Sequence, residues 1–411
     1  MFPKEWQLCK IGDIAETTSG GTPNRKNKEY YDGNISWVKS GELEDGDIYS
    51  TEEKITEEAL KKSSAKLFPK GTLLIAMYGA TVGKTSILQI DATTNQAVCA
   101  IFPSEDLANA HFLRYYFIYS RPTLLRQRYG GAQPNISQTV IRNFEVSLPP
   151  ISEQYNIAHI LSIIQSAIEA QEKIIQTTTE LKKALMQKLF TEGLNGEQQK
   201  EAEIGLVPRS WEVKRIEEVY NFTNKPRGTD LGVVKQVPFI PMDLIPDDGL
   251  FVRDFELRDV DDLSSGTYIE NGDLLIAKIT PSFENGKQAI VDFEYKFGFA
   301  TTEVLPIKEK AKISNKYYLY YYLLKNDVRS MLAGKMEGST GRQRLSKTVL
   351  GETLIPCPSY KEQTEIAEMF IKVDNKIQFC KTKVVSLQSL FKSMLHHLMT
   401  GQIRVKDLKV S

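Results

Sequence analysis

The amino-acid sequence predicts an α+β chain in which two globular mixed α/β domains are separated by two long antiparallel coiled-coil helices, the whole an internal repeat with pseudo-two-fold symmetry. Three observations predict this. Apolar side chains at Ile366, Phe370, Val373, Ile377, Cys380, Val384, Leu387, Phe391, Met394 and Leu398 alternate steps of four and three. A 3.5-residue repeat held this long describes a helix whose narrow stripe needs a partner helix. Subtracting 209, the offset between Glu362-Gln363 and Glu153-Gln154, lands on Ile157, Leu161, Ile164, Ile168, Gln171, Ile175, Thr178, Lys182, Leu185 and Leu189, so the partner lies in the same chain. Three of these positions are polar, and Ile174 and Leu181 are expected to broaden that weaker stripe. Finally, landmarks recur in one order: Pro3-Lys4-Glu5-Trp6 as Pro208-Arg209-Ser210-Trp211, Gly71 to Ala76 as Gly272 to Ala277, Ala92-Thr93-Thr94 as Ala300-Thr301-Thr302, and Ile136-Ser137 as Leu345-Ser346. An ordered series of this kind is the signature of a duplicated unit.

In chain order, residues 1–150 read as the first globular domain and 151–193 as the central helix. A polar, Glu-rich linker is expected over 194–207, the second domain over 208–358, the C-terminal helix over 359–401 and a tail over 402–411. Within the domains, short apolar or alternating runs bounded by Gly, Asp and Pro predict strands at 73–77, 86–90 and 97–102, with 274–279 and 288–293 repeating the first two. Aromatic-rich helices are expected at 111–120 and 316–325, and the tyrosines of the second are read as packing residues. Ser152 and Ser359 are the expected N-caps of the long helices, with Glu153 and Glu362 in the first turn, where the helix dipole favours acids. Ser359 and Glu362 also have capping-box spacing. Each long helix is expected to stop at a glycine, Gly193 or Gly401, in the left-handed C-terminal conformation. At about 1.5 Å per residue, such helices are roughly 60 Å long, the length of a spacer.

Composition narrows the class without deciding the function. The 411 residues are 25% charged and 41% hydrophobic, an ordinary globular balance, and 52 basic residues offset 52 acidic ones. Bulk charge therefore argues neither for nor against nucleic acid. Cys9, Cys99, Cys357 and Cys380 show no paired or metal-ligand spacing, which suits a reducing cytoplasm. No apolar run approaches the roughly 18 residues of a membrane helix, and Met1-Phe2-Pro3-Lys4-Glu5-Trp6 does not open a signal peptide. A cytoplasmic protein without cofactor or metal is expected.

Local charge is more informative. From Arg114 to Arg142 there are five arginines and no acid, whereas Glu42 to Glu58 holds eight acids and one lysine. A dipolar surface is the expectation, with Lys312 to Lys347 repeating the basic bias. Segments of this kind, interleaved with Gly130-Gly131-Ala132-Gln133-Pro134-Asn135, offer phosphate contacts and side-chain amides for adenine edges. Gly79-Ala80-Thr81-Val82-Gly83-Lys84-Thr85 looks like an ATP-binding phosphate loop but is one residue short between its glycines. A turn carrying Lys84 toward a nucleic-acid phosphate fits better. No Ser, Cys or carboxylate mechanism has its paired motif, so a non-catalytic chain is expected.

Taken together, Trp6 with Leu8 and Ile11, Ser19-Gly20-Gly21-Thr22-Pro23, Ile35-Ser36-Trp37-Val38-Lys39, Gly79 to Thr85, Ala132 to Ile136, Pro149-Pro150 with Glu153-Gln154, Glu362-Gln363 and Leu398-Met399-Thr400-Gly401 closely resemble the specificity subunit of type I restriction-modification systems, over essentially the whole chain. The resemblance implies two target-recognition domains reading the two halves of a split double-stranded DNA sequence. It also implies methyltransferase subunits docked on the helices, restriction subunits joined through them, and adenine methylation and cleavage carried out by those partners. Lys225 to Val237 and Arg342 to Leu345 depart from the first-domain loops. On the combined reading, Arg25, Lys26, Lys39, Lys84, Arg126 and Arg128 hold phosphates. Asn24, Gln133 and Asn135 are base-edge candidates, and Tyr30 and Tyr78 stack or pack. In the second domain the choices are Lys225, Arg227, Lys278, Lys287, Arg342, Gln343 and Arg344. A coiled-coil adaptor, a phosphate-loop enzyme and the recognition subunit of another modification system are the competing classes.

Overall fold

The structure, a computed structural model, describes residues 3–126, 135–227, 235–263, 265–339 and 341–405. It divides into two compact units, residues 1–172 with 381–411 and residues 173–380, and both division points fall inside the long helices Ile151–Glu192 and Tyr360–Met399.

In the first unit a five-stranded sheet runs in the order Ala15–Ser19, Val98–Pro103, Leu73–Ala76, Thr85–Leu88, Asp47–Ile48, and a four-stranded sheet in the order Glu53–Ile55, Ile35–Val38, Ala92–Thr94, Leu67–Phe68. A two-stranded ladder joins Gln7–Lys10 to Glu145–Leu148. The second unit repeats every one of these neighbours. Its five-stranded sheet is Tyr220–Phe222, Val304–Glu309, Leu274–Ala277, Gln288–Val291, Phe251–Val252, and its four-stranded sheet is Glu256–Asp259, Gln236–Ile240, Phe297–Ala300, Thr267–Glu270. The ladder is Glu212–Arg215 with Leu354–Cys357. The repeat seen in the sequence is therefore a repeat of topology. One landmark is out of step: Val98 pairs with Ala76 and Val304 with Ala277, which brings Thr94, not Ala92, into correspondence with Ala300. The Ala-Thr-Thr likeness is thus a two-residue coincidence.

All twenty seam positions of the two helices are buried or half-buried, whereas Leu181 is 52% exposed and lies outside the stripe it was expected to broaden. In the first unit Ile157 and Leu161, near the start of the central helix, share a core with Leu395, Leu398 and Met399, near the end of the other. In the second unit Leu189 and Phe190 share a core with Ile366 and Phe370, so start again meets end and the helices are antiparallel. The polar seam residue Lys182 is satisfied by Asp374 at 2.5 Å, which also accepts the Tyr321 hydroxyl at 2.8 Å. Such a pair fixes register in a seam that apolar residues alone would leave free to slip.

The Glu-Gln pairs that set the repeat offset anchor each helix to its domain. Gln154 accepts from Asn109 N and donates to Leu107 O and Pro149 O, all at 2.9 Å. Gln363 accepts from Asn315 N at 2.9 Å and donates to Ile313 O at 3.1 Å and Pro358 O at 2.9 Å, the same three partners one copy later. Ser359 caps as expected, its hydroxyl accepting from Glu362 N at 3.2 Å. Ser152 does not. The central helix starts at Ile151, two residues earlier than a Ser152 cap would place it, and Pro150 O accepts from Glu153 N and Gln154 N, so Ser152 lies inside the first turn.

Gly193 and Gly401 have φ of 67° and 69°, as helix-ending glycines do. Each is also crowded: a Cβ on Gly401 would lie 2.4 Å from Pro3 Cγ, and one on Gly193 would lie 3.0 Å from Trp211 Cζ2. The recurring Pro-x-x-Trp is therefore the surface against which a helix end is seated. The 194–207 segment, read from its polarity as a linker, carries the hairpin strand Gln199–Ala202 paired with Gly205–Pro208. Neither strand alternates in burial, so no period-two pattern announces the hairpin in the sequence.

One buried acid departs from the repeat. Asp273, 1% exposed, stands where the first unit has Thr72, and burial pushes its carboxyl up to about 6 although Glu270 N donates to it at 2.8 Å. A folded-state value above the unfolded one means that the folded chain holds the proton more tightly, so this group's contribution is full below about pH 4 and is lost as pH rises through about 6. Asp273→Asn is expected to remove that loss, on the order of 2 kcal/mol between pH 5 and pH 8. Urea midpoints of both proteins across that range check it, and parallel pH curves would refute it.

Candidate nucleic-acid interface

In the first unit the loop before strand Ile35–Val38 is tied down by its own residues. Trp37 Nε1 donates to Gly21 O at 3.1 Å and the Tyr31 hydroxyl to Pro23 O at 2.6 Å. Asn24, Arg25 and Lys26 are exposed on it, and Asn24 Oδ1 accepts from Lys26 N at 3.1 Å. Arg25 bonds Glu53, and Lys39 lies 2.6 Å from Glu52 and 3.2 Å from Glu53, so these expected cations form one network. Two neighbouring cations hold the Glu53 carboxyl below its ordinary value, the Arg25 hydrogen bond most of all. Tyr30 packs half-buried against the cluster of Trp37, Ile55 and Ala59.

Lys84 ends the turn between strands Leu73–Ala76 and Thr85–Leu88. A nucleotide-binding phosphate loop leads into a helix whose N-terminus faces the phosphates; this one leads into a strand, so it is a hairpin. Lys84 is half-exposed and makes no ion pair with a described residue. Tyr78, at the start of the turn, is half-buried, and burial raises its hydroxyl pKa. Ile136 N donates to Met77 O at 2.8 Å, which sets exposed Asn135 beside Tyr78. Arg126 is exposed and donates to Thr123 Oγ1 at 2.9 Å. Arg128 and Gln133 lie outside the described residues.

In the second unit the corresponding strands bring Lys278, Gln343 and Arg344 together. Leu345 N donates to Lys278 O at 2.7 Å and Thr280 N to Gln343 O at 3.0 Å. Arg344 forks onto Glu303 with two bonds of 2.9 Å. Lys287 lies 3.6 Å from Asp247. Lys225 and Arg227 are exposed on one loop and Arg342 on another.

The expected dipolar surface is corrected in part. Arg114 is 4% exposed and pairs with Asp47 at 2.6 Å, and Arg121 pairs with Asp45 while donating to Gly83 O at 2.9 Å. These two lie on the inner face of helix Ala110–Arg126, so the acidic segment neutralises them. In the second unit Arg329 is buried, donating to Phe283 O and Gln288 Oε1 at 2.9 Å each. Arg121 and Arg329, both missed as positioning residues, therefore grip the turns that carry Lys84 and Lys287. Arg121 follows the aromatic run of its helix, whereas Arg329 stands in Asn326–Ala333, which holds no aromatic residue to mark it.

Among the described residues no group of three or more His, Cys, Asp or Glu is placed to hold a metal. Burial pushes the Cys99 thiol up to about 12, far from a nucleophile's range. Exposed or half-exposed on the sheets and their turns stand arginines, amides and lysines, side chains of the kinds that contact phosphates and base edges.

Comparison with known proteins agrees. The family model for the type I restriction modification DNA specificity domain matches residues 3–179 and again 208–388. The MjaIX specificity subunit of Methanocaldococcus jannaschii is 25% identical over 99% of this chain and 95% of its own length, and the MjaVIII specificity subunit of the same organism is 25% identical over the same shares. The crystal structure of the type I restriction-modification S subunit from M. genitalium covers 96% of each chain at 14% identity with a TM-score of 0.62, and so shares the fold. With that domain matched once in each of its two repeats, the chain belongs to the type I restriction-modification DNA specificity family.

Proposed function

We propose that the chain is the DNA-recognition subunit of a type I restriction-modification complex. Residues 1–150 and 208–358 act as its target-recognition domains, each reading one half of a split double-stranded target. Methyltransferase subunits docked on the long helices and restriction subunits joined through them carry out adenine methylation and cleavage. The chain itself does no chemistry. The observation that supports this best is one topology built twice with different side chains at matching places: Asn135 stands where the other unit has Arg344 and Lys39 where it has Pro241, while the turn lysines Lys84 and Lys287 match. A shared frame with dissimilar outward residues suits two different half-sites.

Single-molecule methylome sequencing of a host with and without this chain is the direct test, and a split motif that vanishes with the chain is the expected result. If the methylome is unchanged, the reading fails. Lys84→Ala is expected to weaken binding of the assembled complex evenly across sequences and to lower the salt slope of log K by about 0.9, one phosphate's share. Titrations of matched and single-mismatch duplexes at several salt concentrations measure both, and an altered base preference would remove Lys84 from the phosphate contacts.

A further inference from the structure

Both four-stranded sheets hold the same group of side chains, assembled from different parts of the chain. In the first unit Trp37 lies directly opposite Glu53 in an antiparallel pair, and strand Ile35–Val38 continues in parallel with Ala92–Thr94. In the second unit Phe239 lies directly opposite Glu256, and strand Gln236–Ile240 continues in parallel with Phe297–Ala300. Directly opposed residues share a face of the sheet, so each pair sets a ring beside a carboxylate at the same place. An arginine completes both. Arg25 sits 4.7 Å over Trp37 and 4.3 Å over Tyr31, with Nη1 at 2.5 Å from Glu53 Oε2 and Nη2 at 3.5 Å from Oε1. Arg258 sits 3.5 Å over Phe239, with Nη2 at 2.6 Å and Nε at 3.0 Å from Glu256 Oε2. Arg25 comes from the loop ahead of its sheet, whereas Arg258 is two residues beyond its glutamate on one strand.

Resting on the DNA-recognition reading, we propose that Arg25 and Arg258 are the guanine-reading side chains of the two half-sites, each held over an aromatic ring and aimed by a glutamate. Three considerations carry this. The arginine side chains are 50% and 38% exposed, and exposed ion pairs contribute only about 0–1 kcal/mol, so stability does not account for building the group twice. A guanidinium has five N–H donors in a plane, and each glutamate occupies one edge of it. Among the described residues no partner takes a second edge of two parallel N–H groups, the fork that matches guanine O6 and N7 in the major groove. Ring and carboxylate also fix a side chain that otherwise costs about 2 kcal/mol to order, so the cost is met before DNA arrives. Arg258 was not among the residues chosen from the sequence, because its equivalence to Arg25 exists only in the strand register.

The test uses the complex assembled with its methyltransferase subunits, acting on a randomised duplex library and read by single-molecule sequencing. Arg25→Gln and Arg25→Lys are each expected to lose preference at one G·C pair of one half-site by roughly 5- to 150-fold, with the other half-site unchanged. Arg258→Gln and Arg258→Lys do the same in the other half-site. Thermal midpoints stay at the wild-type value, as exposed pairs require. Full recovery with lysine, an even loss over all sequences, or both residues acting on one half-site would overturn the proposal. A wild-type complex with no split motif would instead sink the function on which it rests.

Discussion

Arg404→Ala is expected to lower the folding stability of the chain by about 3–5 kcal/mol, the cost of leaving a buried charge without its partner. Glu153 is fully buried at the start of the central helix. Arg404 closes on it with Nε and Nη2, each 2.8 Å from a different carboxylate oxygen, and Nη2 also bonds Glu5 at 2.8 Å. Val405 N adds a bond of 3.3 Å to the same carboxylate. The two glutamates hold the Arg404 guanidinium above its ordinary pKa, so the clasp keeps its charge through the alkaline range. Removing both charged groups as Glu153→Gln with Arg404→Gln is expected to cost less than Arg404→Ala alone, because no bare carboxylate remains. Denaturant midpoints of the single and double variants decide it. If Arg404→Ala shifts stability by less than about 1 kcal/mol, the clasp is no more than a surface pair.

That clasp marks one limit of the sequence reading. Residues 402–411 read as a tail, since nothing local in Ile403-Arg404-Val405 points back some 250 positions to Glu153. What the sequence displayed well were properties carried by one segment's own period. The heptad seams, the terminal glycines and the duplicated order of landmarks belong to this class, and each matches the structure. What it hid were properties set by pairing between distant segments. The hairpin at Gln199–Ala202, the two-residue slip of the Ala-Thr-Thr likeness, and the burial of Arg114 against Asp47 all depend on which strands and helices meet. The candidate site divides in the same way. Lys84, Arg25 and Lys278 were legible as cations beside turns, but that Arg25 and Lys39 share Glu53, and that Arg344 forks onto Glu303, follows only from sheet register.

The seam itself supplies the second large effect. Phe370→Ala is expected to cost about 3–5 kcal/mol, as truncation of a fully buried aromatic does when the site cannot collapse around the void. The Phe370 ring stacks on Phe190 at 5.6 Å with an interplanar angle of 11°, and also meets Tyr321 at 4.9 Å. Collapse is opposed at both rings. Phe190 is braced by Tyr318 and Tyr322 at 5.2 and 5.4 Å, and Tyr321 is tethered through its hydroxyl to Asp374, which holds Lys182. Leu181→Ala, on the facing central helix next to Lys182 but 52% exposed, is the control, expected within about 0.5 kcal/mol of wild type. The contrast separates a paired seam from general helix amphipathicity. A chain whose helices were held by overall apolarity would feel both substitutions alike, and denaturant midpoints within 1 kcal/mol of each other would show that the seam does not bind the helices in that unit.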